Sequence, residues 1–239
     1  MQSEIKTARE LIKAAAGRTA LTEDAAKQVL ACFGLRIPRR SQVPFAQPVG
    51  ASLDGLTPPF ALKVVSATIL HKTEVGGVRL GLRDATEAQS AIDAMSNRLT
   101  SAGHAIDGWL LEEMAPPGTE IVIGATVDPS FGPNVMVGLG GVMVELFEDV
   151  CFGICPIRPN EARRMLDSLR GVRLLRGWRG APPADEDQII DALLRVGGED
   201  GLMLVLSDLV AELDVNPLIV SAHGAIAVDA RIVLRKPNV

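Results

Sequence analysis

The chain has 239 residues, 47% of them apolar, enough to bury a sizeable core as one large domain or two small lobes. A net charge of −5, aromatics at 3% and no tyrosine argue against a nucleic-acid surface, which needs excess cations and stacking rings. The cysteines Cys32, Cys151 and Cys155 form no CxxC pair or zinc set and read as small apolar residues of a reducing cytoplasm. The N-terminus lacks a signal-peptide core, and no apolar run reaches the ~18 residues of a membrane span.

Residues 3–16 are predicted helical, with Ile5, Ala8, Leu11, Ile12 and Ala15 on one face and Gly17 as the stop. Thr22 caps a second helix, Glu23 to Phe33, and a short extended run follows to Val43. Pro44 to Pro59 is a loop or irregular helix. The next strand carries Leu62, Val64 and Val65 and is interrupted by Lys63. A single lysine there ordinarily snorkels its amine to water, a lone His71 is ordinarily a surface residue, and Gly76-Gly77 alone is ordinarily a hairpin turn. Crowded into one segment, the cation, imidazole and glycines point to phosphate handling. Val78 to Leu82 is a strand, and Asp84 or Thr86 caps a helix to about Leu99 with an apolar stripe of Ala88, Ala91, Ile92, Met95 and Leu99. Trp109 begins an apolar strand that runs into Glu112 and Glu113 and then a Pro-Pro-Gly turn at Gly118.

Glu120 to Asp128 is a strand, Pro129 to Pro133 a turn, and Asn134 to Glu145 a glycine-bearing strand pair. Gly138-Leu-Gly-Gly141 lacks the Gly-Lys-Ser/Thr ending and following helix of a phosphate loop, so a close backbone approach in a sheet is expected. Glu145 and Asp149 face a ligand or are edge charges. Cys151 to Ile157 is a strand, Pro159 to Leu169 a helix, and Asp185 caps a helix to Val196. Between those helices, Arg173, Arg176 and Arg179 touch a phosphate or partner, or are simply solvated. Near the end, strands Ala211 to Val220 and Ala225 to Arg231, joined by Ser221 to Gly224, bring residues 214–216 close to 229. Glu212, Asp214 and Asn216 alternate, so they share one strand face, opposite Leu213 and Val215. Such a face cannot be core unless its charges are paired or bind a metal, and hard oxygen ligands suit Mg²⁺ together with nucleotide phosphates.

Leu62-Lys63-Val64-Val65-Ser66 followed by His71-Lys72-Thr73-Glu74-Val75-Gly76-Gly77-Val78 resembles the β subunit of ADP-forming (NDP-forming) acyl-CoA synthetases, relatives of the succinyl-CoA synthetase β subunit. The Trp109–Gly118 stretch, the Val-Asp-Pro-Ser-Phe-Gly-Pro hairpin and the Asp-x-Asn-Pro segment extend the resemblance in order, from about Leu11 to Leu234. It implies an α+β, ATP-grasp fold of two lobes with the nucleotide between them: a small lobe over 20–110, and a larger one from 1–19 and 111–239 carrying the metal site. Lys63 then contacts nucleotide phosphates, Glu112, Glu113 and Met114 line the adenine site, and Glu120 holds the ribose hydroxyls. Asn216 and Asp229 bind Mg²⁺, with Asp214 a ligand or directly behind one. His71 is the phosphorylated histidine, and the glycine turn after it lets the segment move. The implied cofactors are ATP/ADP and Mg²⁺. The implied partner is an α subunit with a CoA-binding domain, in a heterotetramer that takes up CoA and the acyl substrate through that partner. No Gly-rich βαβ unit for CoA is present in this chain. Two alternatives stand beside this reading: another ATP-grasp carboxylate ligase without a phosphohistidine, and a non-catalytic ATP-binding assembly module.

Overall fold

The computed structural model describes residues 2–66, 68–69, 72–141, 146–180 and 182–235. His71 and Glu145 lie outside the described residues. The chain divides into two compact units, Pro38–Ala115 and Met1–Ile37 with Pro116–Val239. The boundaries differ from the expected 20–110. Residues 20–37 belong to the larger unit, because the second helix buries Ala26, Val29 and Leu30 in that unit's core. Leu111 to Ala115 stay with the smaller unit, tied to it by backbone bonds from Glu113 to Arg39 and from Met114 to Pro59.

The smaller unit is a four-stranded antiparallel sheet with one helix. Its strands are β1 (Arg40–Pro44), β2 (Phe60–Val65), β3 (Val78–Leu82) and β4 (Gly108–Glu113), in the order β1-β4-β2-β3. Period-two alternation puts Phe60, Leu62 and Val64 of β2 on one face with Trp109 and Leu111 of β4 and Val43 of β1. That face packs on α3 (Ala85–Ser101) through the predicted stripe of Ala88, Ile92, Met95 and Leu99. Full burial of each such side chain stabilises by about 1.5–3 kcal/mol, so this face fixes the register of all three strands. Asp84 caps the helix, accepting from Glu87 N–H at 2.9 Å, and Glu87 reaches back to the Arg83 N–H at 2.8 Å.

The larger unit sets helices against one face of a six-stranded antiparallel sheet. Its helices are α1 (Gln2–Ala14), α2 (Glu23–Cys32), α4 (Pro159–Asp167), α5 (Glu186–Gly197) and the short α6 (Leu202–Val205). Its strands are β5 (Thr119–Asp128), β6 (Gly132–Leu139), β7 (Val150–Ile154), β8 (Val210–Ser221), β9 (Gly224–Ala227) and β10 (Ala230–Leu234), in the order β10-β8-β5-β6-β7, with β9 folded back on the end of β8. Ile121, Ile123, Val135, Val137, Leu213 and Val215 point to the helices and build the core. The β5–β6 hairpin turns where Asp128 accepts from the N–H groups of Ser130 and Phe131, at 2.7 and 2.9 Å. The opposite face of this sheet carries Glu120, Asn134, Glu212, Asp214 and Asn216, none of which joins the core.

Candidate functional site

In the smaller unit, Lys63 and Glu112 sit diagonally across β2 and β4: Lys63 faces Leu110, and Ala61 faces Glu112. Both lie on the face turned away from α3. Lys63 Nζ stands 3.0 Å from Glu112 Oε2, with the two side chains 8% and 2% exposed. The amine therefore does not snorkel to water. A lysine with a carboxylate two positions past its cross-strand neighbour, each alternating with apolar residues, is a pattern legible in the sequence once the strands are registered.

Glu113 is committed elsewhere. Its carboxylate accepts from the Thr57 N–H at 2.7 Å and lies 3.4 Å from the Arg39 guanidinium. Met114 Sδ accepts from the Gly81 N–H at 3.2 Å. The backbone N–H groups of both residues are also spent, Glu113 on Arg39 O and Met114 on Pro59 O, each at 2.9 Å. Ala115 keeps an N–H with no hydrogen bond among the described residues, and the next two residues are prolines. In this stretch Ala115 thus holds the uncommitted backbone donor.

The turn that follows His71 in sequence is packed rather than loose. Gly76 N–H donates to Thr73 O at 3.0 Å, Gly77 N–H to Lys72 O at 2.5 Å, and the Gly77 carbonyl accepts from Val64 N–H at 2.8 Å. Arg98 of α3 donates to the Gly76 carbonyl. Gly76 has φ +67°, and a Cβ on Gly77 would stand 2.6 Å from Val64 Cγ1. The glycines of residues 72–77 serve close approach in this conformation.

In the larger unit, the strand reading of Glu212, Asp214 and Asn216 on one face is observed, with Leu213 and Val215 buried on the other. β10 pairs with β8 so that Arg231 faces Asp214 and Ala230 faces Val215, which brings Asp229 beside Asp214. Burial first, and then the charges of Asp229 and Glu212, push the Asp214 carboxyl above the ordinary carboxylate range; Arg231 opposes the shift. Asp229 Oδ1 accepts from the Ala230 N–H at 2.8 Å. Among the described residues no group of three or more His, Cys, Asp or Glu forms a self-sufficient metal site. Asp214, Asp229 and the exposed Asn216 form a partial set of hard oxygens under mutual repulsion. That set fits Mg²⁺, which takes one or two carboxylates and completes its shell with water and phosphate.

Glu120 lies on the same open face, opposite Ile219 of β8, and is exposed. The Gly140 N–H donates to the Glu120 carbonyl at 2.7 Å, and a Cβ on Gly140 would stand 2.8 Å from Glu120 Cβ. The glycine run is thus the close approach its sequence predicts. Asp214 faces Gly124, four residues along β5 from Glu120, so the two carboxylates are spaced by about 13 Å of strand. Asp149, which the sequence left as ligand or edge charge, is buried and accepts from the Arg170 and Gly171 N–H groups, each at 2.8 Å; its role is to anchor β7.

Comparison with known proteins gives the family. The ATP-grasp domain family matches residues 13–234. The β subunit of acetate–CoA ligase [ADP-forming] II of Pyrococcus furiosus is 37% identical over 225 residues, covering 92% of this chain and 94% of that one. Acetate–CoA ligase [ADP-forming] I of Archaeoglobus fulgidus is 42% identical over 179 residues, covering 74% of this chain but 25% of that longer protein. Acetyl-coenzyme A synthetase 1 ("dinucleotide forming") of Ca. Korarchaeum cryptofilum is 37% identical, and the alignments cover 95% of this chain and 100% of that one. Its complex with coenzyme A and Ca-AMPCP gives a TM-score of 0.88. Its complex with coenzyme A and Mg-AMPPCP, in which a phosphohistidine segment points towards the nucleotide-binding site, gives 0.82. The chain belongs to the ATP-grasp family, among the β subunits of ADP-forming acyl-CoA synthetases. No helix among the described residues is long and apolar enough to cross a membrane.

Proposed function

We propose that this chain is the nucleotide-binding subunit of an ADP-forming acid–CoA ligase, passing phosphate between Mg-ATP/ADP and an acyl phosphate on an α subunit. The observation that carries it is the open face of the larger sheet, where Glu120 and Asp214 are spaced by about 13 Å of strand with Asn216 between them and Asp229 beside Asp214, an arrangement that suits ribose at one end and metal-bound phosphates at the other. Glu120 accepts from two vicinal ribose hydroxyls. The base edge meets the Ala115 N–H. Lys63, held in a buried site by Glu112, offers its cation to the phosphates. Asp214, Asn216 and Asp229 would hold Mg²⁺, which offsets charge on the transferring phosphoryl group when bound. His71 is the nucleophile toward phosphorus, a role that requires its neutral imidazole.

CoA and the acyl group are taken up by an α subunit with a CoA-binding domain, in a heterotetramer of the cytoplasm. Support comes from the Archaeoglobus relative, three-quarters of whose length has no counterpart here. The test is transfer of label from γ-labelled ATP with Mg²⁺, with and without α subunit, beside His71→Ala. Acid-labile label on the wild type alone is the expected result. ATP binding without label, even with partner present, would overturn the relay in favour of an ordinary ligase or a binding module.

A further inference from the structure

The connection between α4 and α5 takes no part in the reading above. Residues 170–180 carry Arg170, Arg173, Arg176 and Arg179 and no Asp or Glu, in a chain whose net charge is −5. Arg176 is spent within the fold, its Nε donating to Glu186 at 2.9 Å while its other nitrogen pairs with Asp167. This clamp and the Ala184 N–H donating to Leu175 O at 2.8 Å close the base of the loop. The tip is tightly wound, with φ of +85° at Gly177, +53° at Arg179 and +85° at Gly180. Glycine takes that backbone freely. Arginine takes it at a cost, and such conformations cluster where a surface does work. At this tip Trp178 is 48% exposed, and the side chains of Arg173 and Arg179 make no hydrogen bond or ion pair among the described residues.

We propose that Arg173, Trp178 and Arg179 form the docking surface for the partner subunit, received by an acidic, apolar-lined recess on that partner. The proposal rests on the reading that the chain works with an α subunit. Tryptophan and arginine are the side chains that dominate interface energetics, and a loop clamped at its base loses little further freedom on docking. The charge fixes the chemistry of the partner. A long polyanion would meet repulsion from the acidic remainder of the chain, whereas a protein surface with local acid would not.

The chain carries its own reporter, because its other tryptophan, Trp109, is 1% exposed. Wild-type chain is titrated with its α subunit while emission and sedimentation are followed, beside Arg173→Glu/Arg179→Glu and the milder Trp178→Ala. The expected result is a blue shift from Trp178, absent from Trp178→Ala, and an association weakened roughly tenfold or more by the charge reversal and by salt. Unchanged Trp109 emission in the variants verifies that they fold. Association with no shift and no effect of the reversal overturns this surface and leaves the enzymatic reading standing. No association of the wild type overturns the partner reading and the surface with it. A shift on adding CoA alone, with none from the α subunit, makes the loop a nucleotide contact and overturns docking.

Discussion

The smaller unit sets a lysine against a glutamate on the sheet face turned away from α3, both buried, at 3.0 Å. The larger unit crowds Asp214, Asp229 and Glu212 together, half-buried, with Asp214 pushed toward protonation by burial and by its neighbours. The attraction within the lysine–glutamate pair offsets part of the cost of taking two charges out of water. There each charge has an opposite charge beside it without a ligand. In the acid cluster Arg231 offsets only part of the repulsion on Asp214, and a further cation would relieve the rest. On the proposed reading, nucleotide binding asks opposite things of the two: Lys63 shares its charge with a phosphate, and the acids acquire a cation.

The contrast is sharpest in single substitutions. Lys63→Met removes the buried cation 3.0 Å from Glu112 and should cost about 3–5 kcal/mol in urea denaturation, with loss of ATP-dependent labelling. The double variant Lys63→Met/Glu112→Leu should return close to wild-type stability while staying inactive. If both unfold alike, the pair is not what the single change disturbs. Gly77→Ala drives a methyl against Val64 and the Lys72 carbonyl and should cost about 1–3 kcal/mol in the same assay. A neutral result would mean the turn after His71 gives way. Asp208→Asn removes an exposed, two-pronged contact with Arg9, at 2.7 and 3.0 Å, and should cost under about 1 kcal/mol. Arg9 holds the Asp208 carboxyl below its ordinary range. The stabilisation is therefore present above the unfolded value of about 4 and is lost as pH falls through the depressed one, so the two proteins should melt alike in strong acid. Asp229→Asn should leave stability unchanged or slightly raised, since it relieves a like charge, while raising the Mg²⁺ concentration needed for labelling. A loss on the scale of Lys63→Met would erase the contrast between the units.

Much of this was legible in one dimension. The alternation through Leu213 and Val215 put Glu212, Asp214 and Asn216 on one face, because side chains in a strand must alternate. The Ser221–Gly224 turn brought Asp229 back to them, and the stripe from Ala88 to Leu99 announced a helix that must cover a sheet. The resemblance around Lys63 and Gly76-Gly77 carried the family.

Other features depended on strand register and on contacts far apart in sequence. Glu112 reads as a carboxylate at a strand end until β4 is laid beside β2, where it meets Lys63. Glu113 and Met114 look available until Thr57, Arg39, Pro59 and Gly81 take up their polar groups. Asp149 looks like an edge charge until the chain after α4 turns two N–H groups onto it. Local pattern determines which face of a strand or helix a residue occupies, because that follows from backbone periodicity alone. Which opposite charge or orphan donor stands across from it is decided only when distant segments pack, because a buried polar group takes whatever partner the tertiary fold brings within about 3 Å.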